Sequence, residues 1–530
     1  MNLFSSLLKI KAYNTTNHSR YFYYILILVI LSYLILGVGL HGDDYTAINS
    51  MKGYGLWEYL NPDPNKPMNV QVLGLPNFYT FWWVYPVLGY EYQWLYDVIK
   101  IIVHALSIYL IYTFAKDYFS LDRAFLFSLI FVLYPLHDTT TYWYCTLFYV
   151  IIPAIILYAH SLIRKNRIWI GLLLLFLGTM WNYASPPYVF GMAMVFIFEK
   201  KIKKAVLFSL PGFVYIFYYF WIKFSYPDVE RRINPDLEIL SFIKNMLLQF
   251  VSFIESAIGP SYWLKVFYSI NSISFISLIS VLILTIYLFK IPILSPVKKI
   301  NKPLLFGFIG VVLLSFAMYS LTGLYTHSAF NLGNRTTIYG SLLIAFLLAT
   351  LLPANKKSIV ILLLIFVVPV FGLSDHWKSW NIHQKTIIEN IQENPSLKDI
   401  DKNSTLLVTG NLYSKLGPFS HIEFFSMPWN VRAIFNNYTT SREIVALTPY
   451  TSFKNELLID EKYGFNYPLL NKIYVYDSVD NSVKEINKSN VNELIQQQPN
   501  ELRHWIQLAK DTWIQKSIVW LSHRLNYLFK

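Results

Sequence analysis

The chain has 530 residues, 55% of them hydrophobic and 18% aromatic, with only 14% charged. Soluble domains carry roughly 25% charged residues, so this composition, with a mean hydropathy of +0.39, excludes an ordinary soluble enzyme. One cysteine, Cys145, excludes a disulfide framework, a thiolate zinc cluster and a Cys-x-x-Cys redox centre, and the net charge of +13 lies almost wholly in one part of the chain. From Asp375 onward there are 17 basic and 16 acidic residues, which leaves 27 against 15 before it. The excess sits in short loops between apolar runs, as membrane orientation requires, so nucleic acid is not the expected partner.

In chain order, Lys9, Lys11 and Arg20 precede the first apolar run, residues 21–40. No small-residue cleavage site follows it, so it reads as a retained anchor with a cytoplasmic N-terminus. Ten further runs follow, at about 97–115, 124–136, 144–163, 168–183, 187–198, 205–224, 267–289, 303–321, 336–353 and 357–373. A bilayer crossing takes roughly 20 residues, and 124–136 and 168–183 are short for it. Alternation from a cytoplasmic N-terminus puts Lys116 and Arg123, then Arg164, Lys165 and Arg167, then Lys200, Lys201, Lys203 and Lys204, then Lys290, Lys298, Lys299 and Lys302, then Lys356 and Lys357 in the inner loops. Every short inner loop is basic, while the outer segments hold Asp43, Asp44, Glu58, Asp63, Asp138, Asp228, Asp236 and Glu238.

Within the outer segments, residues 45–60 and 78–90 are too short or too polar to span and are rich in aromatics. They read as helices in the interface plane, with Trp57, Trp82, Trp83 and Trp94 at headgroup depth. The moderately amphipathic stretch 239–258 reads as a further interfacial helix or an additional span. From 375 the composition becomes that of a soluble domain, with strands at 405–409 and 473–476 and helices within 491–528. The expected fold is mainly α: a polytopic transmembrane bundle of about 11 spans over 1–374 with interfacial helices, and a C-terminal α/β extracytoplasmic domain over 375–530. The expected location is the plasma (inner) membrane.

Three short stretches could carry chemistry. His41-Gly42-Asp43-Asp44-Tyr45 places two carboxylates just after the first span, where one can act as a general base on a hydroxyl. An aspartate there can equally cap the helix that begins near Tyr45, and the two roles are compatible. Tyr134-Pro135-Leu136-His137-Asp138-Thr139-Thr140-Thr141-Tyr142-Trp143 puts ionisable groups at membrane depth, which are functional hypotheses by default; a polar turn in an aromatic belt is the plainer account. His137 and Asp138 would orient an acceptor or sugar or share a proton with the Asp43/Asp44 pair, with His104, Tyr45 and Trp143 as further acceptor or sugar contacts. Asn334-Arg335-Thr336-Thr337-Ile338-Tyr339 offers a guanidinium, the preferred partner of a phosphate, unless Arg335 only snorkels to headgroups. Lys100 and His104 lie four residues apart on one helix face, and Lys265 follows Tyr262 and Trp263; both lysines are further candidates for a lipid phosphate. There is no Walker A motif and no G-x-G-x-x-G, so nucleotide-driven chemistry is not expected.

The order and sidedness of these stretches resemble the GT-C superfamily of polytopic glycosyltransferases that use polyprenyl-phosphate-linked sugars. The matching features are Asp43-Asp44 after the first span, Leu88-Gly89 followed by Tyr96 and His104, Phe131 to His137 leading to Trp143, and Arg335 with Tyr339 before a late span. Leu75-Pro76 stands where related sequences often have Arg-Pro, and Asp138 where many have glutamate. The resemblance implies inverting transfer of a monosaccharide to a hydroxyl of a glycan, lipid or protein acceptor on the extracytoplasmic face. It implies Asp43 or Asp44 as base, Arg335, aided by Lys100 or Lys265, on the departing lipid phosphate, and no obligatory cofactor, a divalent metal being possible but not indicated. The rival expectation is a flippase or polymerase of lipid-linked glycans. Such transporters usually show inverted repeats and Gly/Pro-broken helices at the bilayer midplane, whereas the polar residues here gather at one face.

Overall fold

The computed structural model describes residues 17–53, 73–225, 238–290, 295–296, 300–322, 326–436, 438–509 and 512–521. The readings that rest on Lys9, Lys11, Trp57, Glu58, Asp63, Asp228, Asp236, Lys298, Lys299 and residues 522–528 lie outside the described residues. The described chain is mainly helical and holds eight helical segments long and apolar enough to cross a membrane, with shorter apolar helices at Ile25–Ile35, Ile168–Thr179, Pro186–Phe198 and Phe275–Ile286. This is the build of a membrane protein.

Helix α1 (Asn17–Ile35) stops at a glycine turn. Gly39 sits at φ +68°, and a Cβ there would strike Asn381 and Gln93. The amides of Gly37 and Gly39 donate to the Asp97 carboxylate at 2.8 and 3.0 Å, so the turn is tied to the next long helix and α2 (Asp43–Ser50) starts at a fixed place. A helical stretch at 75–88, with a π-helical turn at Phe78–Trp82, then leads to α3 (Gln93–Ala115). The stretch 78–90 is helical as expected, with Trp82 and Trp83 half-buried, while Trp94 is exposed on the first turn of α3.

Two crossings organise the bundle. Helix α4 (Phe148–Arg164) packs on α3, and α5 (Pro186–Phe198) packs on α9 (Lys302–Thr322) with Gly191 facing Gly307. Small residues at such a crossing let helix backbones approach closely, which is how helices associate where the surrounding solvent is itself apolar. Between them, α6 (Ile239–Ala257) and α7 (Pro260–Ile270) form a long pair broken at Gly259-Pro260. The expected span at 267–289 is corrected: α7 ends at Ile270, and α8 (Phe275–Lys290) begins afresh after a polar turn. Ser274 causes that restart, because its Oγ accepts from Ser277 N at 3.2 Å while its own amide donates to Asp375 at 2.8 Å. Helix α10 (Ile338–Leu351) follows the Asn334–Thr337 turn.

The composition changes near 375, but the backbone does not. Helix α11 (Val368–Glu393) runs from the apolar segment straight into the C-terminal domain, and Ser374 Oγ donates to Leu34 O of α1 at 2.6 Å. The two parts are therefore joined by a helix rather than by a flexible linker. The domain is built on a four-stranded sheet of order β4-β1-β8-β9. Its strands are β1 (Ser404–Thr409), β4 (Glu443–Ala446), β8 (Lys472–Asp477) and β9 (Ser482–Ile486), the first three parallel and β9 antiparallel to β8. All six residues of β1 are buried, as a parallel strand covered on both faces requires. One face joins the main core, with Leu406 and Val408 beside Ile387 and Ile391 of α11, and the other packs Leu407, Val445, Ile473 and Val491. A hairpin, β2 (Tyr413–Leu416) with β3 (Phe419–Glu423), and helix α12 (Pro428–Phe435) face the bundle. Beyond them a three-stranded meander, β5 (Thr451–Lys454), β6 (Leu457–Asp460) and β7 (Phe465–Pro468), and short helical pieces at 491–496, 505–509 and 513–521 complete the described domain.

Candidate functional site

The two adjacent aspartates have different environments. Asp44 is fully buried: its Oδ2 accepts from His41 N at 2.9 Å, and its Oδ1 from the Tyr85 hydroxyl at 2.6 Å and Cys145 N at 3.0 Å. Asp43 is half-buried, and its Oδ1 accepts from Trp429 Nε1 of α12 at 2.7 Å. Three donors converge on Asp44, so it braces its own loop, the helical stretch 75–88 and the turn before α4. Asp43 is the carboxylate on the accessible side.

Burial raises the Asp44 carboxyl from its ordinary 3.8 to about 7, against its hydrogen bonds from His41 and Tyr85, which lower it. The folded protein thus holds a proton there that an unfolded chain gives up near pH 4. Because the folded value is raised, this group strains the fold above pH 7 and that strain is relieved as pH falls towards 4. Melting temperature against pH is expected to show this gain on acidification in wild type and to lose it in Asp44→Asn.

Arg335 lies with its guanidinium 5.7 Å from the centre of the Trp143 ring and donates to Leu332 O at 2.7 Å. Gly42, at φ +49°, rests on the same indole: a Cβ there would stand 2.8 Å from Trp143 Cζ2. Trp143 is therefore a common wall, with Asp43 one residue beyond Gly42 and half-buried Arg335 over its ring. Asp43, Asp44 and Arg335 all act electrostatically on Cys145, and Arg335 also acts on Tyr149 and Tyr319. The Tyr149 and Tyr183 hydroxyls bond each other at 2.8 Å.

The other expected site residues fall into two buried networks. Lys100 does not face outward: its ammonium bonds Asp97 Oδ1 at 2.9 Å and Gly39 O at 2.6 Å, locking the turn after α1. Fully buried and paired with its counter-ion, it is not placed to meet a lipid phosphate, contrary to the expectation. His104 lies one turn further into α3, with Nδ1 on Lys100 O at 2.7 Å and Nε2 without a hydrogen-bond partner among the described residues. Lys265 is likewise committed, to Asp138 Oδ1 and Ala329 O at 2.6 Å and Leu136 O at 3.0 Å, which uses all three of its protons.

Asp138 is the centre of the second network. Besides Lys265, its oxygens accept from Asn334 Nδ2, from Trp377 Nε1 at 2.7 Å and from His421 Nε2 at 2.9 Å. Burial holds His421 below its ordinary value, so it bonds as a neutral ring with Nε2 donating. His137 is folded onto its own turn, between Thr140 Oγ1 at 2.7 Å and Phe131 O at 2.9 Å. Tyr45 points its hydroxyl at Leu40 O at 3.2 Å and packs against Tyr90 and Phe424. His137, Asp138 and Tyr45 therefore shape the site without opening onto it.

Three contributors were not legible in the sequence. Trp429, Trp377 and His421 lie 239 to 386 residues from their partners in a segment with no motif. The C-terminal domain also places Glu423 and Glu501 on Asn331 Nδ2 at 2.9 and 2.8 Å, beside Lys462 and Arg503. Glu423 is buried, yet those two cations and Asn331 hold its carboxyl below the ordinary value. Among the described residues no three His, Cys, Asp or Glu side chains come together as metal ligands.

The architecture is that of a polytopic membrane protein with an α/β domain docked on one end of its bundle through Asp43, Asp138 and Asn331. Comparison with protein-family models, with curated protein sequences and with solved structures finds no match.

Proposed function

We propose that the protein is a membrane glycosyltransferase that moves a sugar from a polyprenyl-phosphate carrier to an acceptor hydroxyl, at the end of the bundle that the charge pattern puts outside the cytoplasm. The observation that carries this reading is the placing of an accessible carboxylate and an accessible guanidinium around one indole: Asp43 next to Gly42 on Trp143, and Arg335 over the ring. A transfer of this kind needs a base for the acceptor and a cation for the leaving phosphate within one substrate's reach.

In this mechanism Asp43 takes the proton of the acceptor hydroxyl. The oxygen forms its bond to the anomeric carbon from the side opposite the phosphate. The carbon–oxygen bond to phosphate breaks, its electron pair goes to the phosphate oxygen, and polyprenyl phosphate departs with inversion at the sugar. Arg335 receives the charge that develops on that oxygen. Leu332 O and the Trp143 ring place the guanidinium, so the cation is in position before the reaction begins.

Arg335→Ala is expected to lower transfer by about 10²–10³-fold, the range for loss of one preorganised charge-stabilising donor. Arg335→Lys is expected to recover only part of it, since an ammonium lacks the planar, two-pronged donor geometry of the guanidinium. The measurement is sugar transfer from a polyprenyl-phosphate donor by the purified protein in vesicles, followed as new glycosidic product. Movement of lipid-linked glycan across the vesicle without any such product would refute the enzyme reading.

A further inference from the structure

The carboxylate of Asp43 is held from outside the bundle. Helix α12 of the C-terminal domain lies on α2 through three side-chain bonds: Trp429 Nε1–H to Asp43 Oδ1 at 2.7 Å, Thr46 Oγ1–H to Asn430 Oδ1 at 2.7 Å, and Asn49 Nδ2–H to Ala433 O at 2.5 Å. Two of these join backbone or neutral groups and only dock one helix on the other. The third ends on the carboxylate that the proposed reaction uses.

The indole is itself fixed on its far side. Tyr463 meets Trp429 edge-on, ring centres 4.7 Å apart at 70°. The Lys462 ammonium stands 5.1 Å from the Tyr463 ring and 3.3 Å from Glu423, a residue of β3. Trp429 is thus clamped between the domain's own packing and Asp43, while both remain half-buried rather than sealed. A rigid N–H on one oxygen sets the rotation of the carboxyl group. Hydrogen bonds of this kind, made to a reacting group by a residue that does not itself react, hold that group within the narrow range of productive geometry.

We propose that Trp429 is a positioning residue for Asp43, so that the bundle's site is complete only when the C-terminal domain is docked on it. The proposal rests on the reading of Asp43 as the base. It assigns the domain a part in the chemical step in addition to any contact with substrate, and it places that part in one N–H group.

Trp429→Phe removes the N–H and keeps a ring against Tyr463. With full-length protein in vesicles and a polyprenyl-phosphate sugar as donor, kcat is expected to fall roughly 10- to 100-fold, the equivalent of one hydrogen bond to a charged group. The donor KM is expected to stay within about twofold, since Arg335 is untouched. Thr46→Val and Asn430→Ala loosen the same seam without removing the bond to Asp43, and kcat is expected to stay close to wild type. Added to Asp43→Asn, Trp429→Phe is expected to cause little further loss, because the two act as a unit. A wild-type kcat in Trp429→Phe, or an equal fall in the two seam variants, overturns the positioning role while leaving the base in place. Full activity in Asp43→Asn overturns the base, and the positioning role with it.

Discussion

Asp43→Asn is expected to lower sugar transfer by about 10²–10⁴-fold, the usual contribution of a general base, with the folded protein intact. The amide keeps an oxygen for the Trp429 N–H, but it carries no charge and does not take a proton. Because Asp43 is half-buried and bonded to a partly open indole, the substitution leaves no sealed charge unpaired. Asp44→Asn is expected to behave in the opposite way. Its two oxygens face three donors, from His41, Tyr85 and Cys145, so an NH₂ group must point at one of them. An unmade hydrogen bond in a sealed site costs about 1–3 kcal/mol, and the effect appears as a lower melting temperature and poor yield. The pair of measurements is transfer rate per folded molecule alongside thermal unfolding. Full transfer by Asp43→Asn, or a stable but inactive Asp44→Asn, would exchange the two roles.

The part of this arrangement that sequence alone reveals is the part written in local patterns. Apolar runs of bilayer length, their basic flanks, and the switch to mixed composition near 375 are all properties of neighbouring residues, and they delivered the helical bundle and the small C-terminal sheet. Periodicity could not place the break before Phe275, because it depends on one serine hydroxyl and on Asp375, a hundred residues away. The site divides in the same way. Asp43-Asp44 and Arg335 stand out because ionisable groups next to apolar runs are conspicuous. Lys100 and Lys265 stand out for the same reason, yet their charges are consumed inside the protein, by Asp97 and Asp138. A single sequence does not show which cations have their counter-ion inside the protein. Trp429, Trp377 and His421 carried no signal, since an aromatic residue in a soluble segment is ordinarily core.

The largest effect on stability is expected at Asp138, read from the sequence as a residue that touches acceptor or sugar. A residue of that kind would raise a substrate's KM when replaced and leave the fold alone. In the folded protein its role is structural. Its carboxylate, with 2% exposure, accepts bonds from Lys265, Asn334, Trp377 and His421, which come from α7, the turn before α10, α11 and β3. Asp138→Asn turns an acceptor-only group into one that is half donor, and sets it against an ammonium and three N–H groups. Breaking a buried ion pair from one side costs about 3–5 kcal/mol, because the remaining charge stays sealed without a partner. Most of the folded protein is therefore expected to be lost, with the C-terminal domain released from the bundle and its junction with α11 opened to protease. Asp138→Leu combined with Lys265→Met removes both charges together and is expected to recover a large share of the thermal stability, since an apolar pair of similar volume often equals a buried ion pair. Recovery should stop short of wild type, because Trp377 Nε1 and His421 Nε2 still lose their acceptor. An Asp138→Asn protein with wild-type melting temperature and a raised substrate KM would return Asp138 to the substrate and remove the strut between bundle and domain.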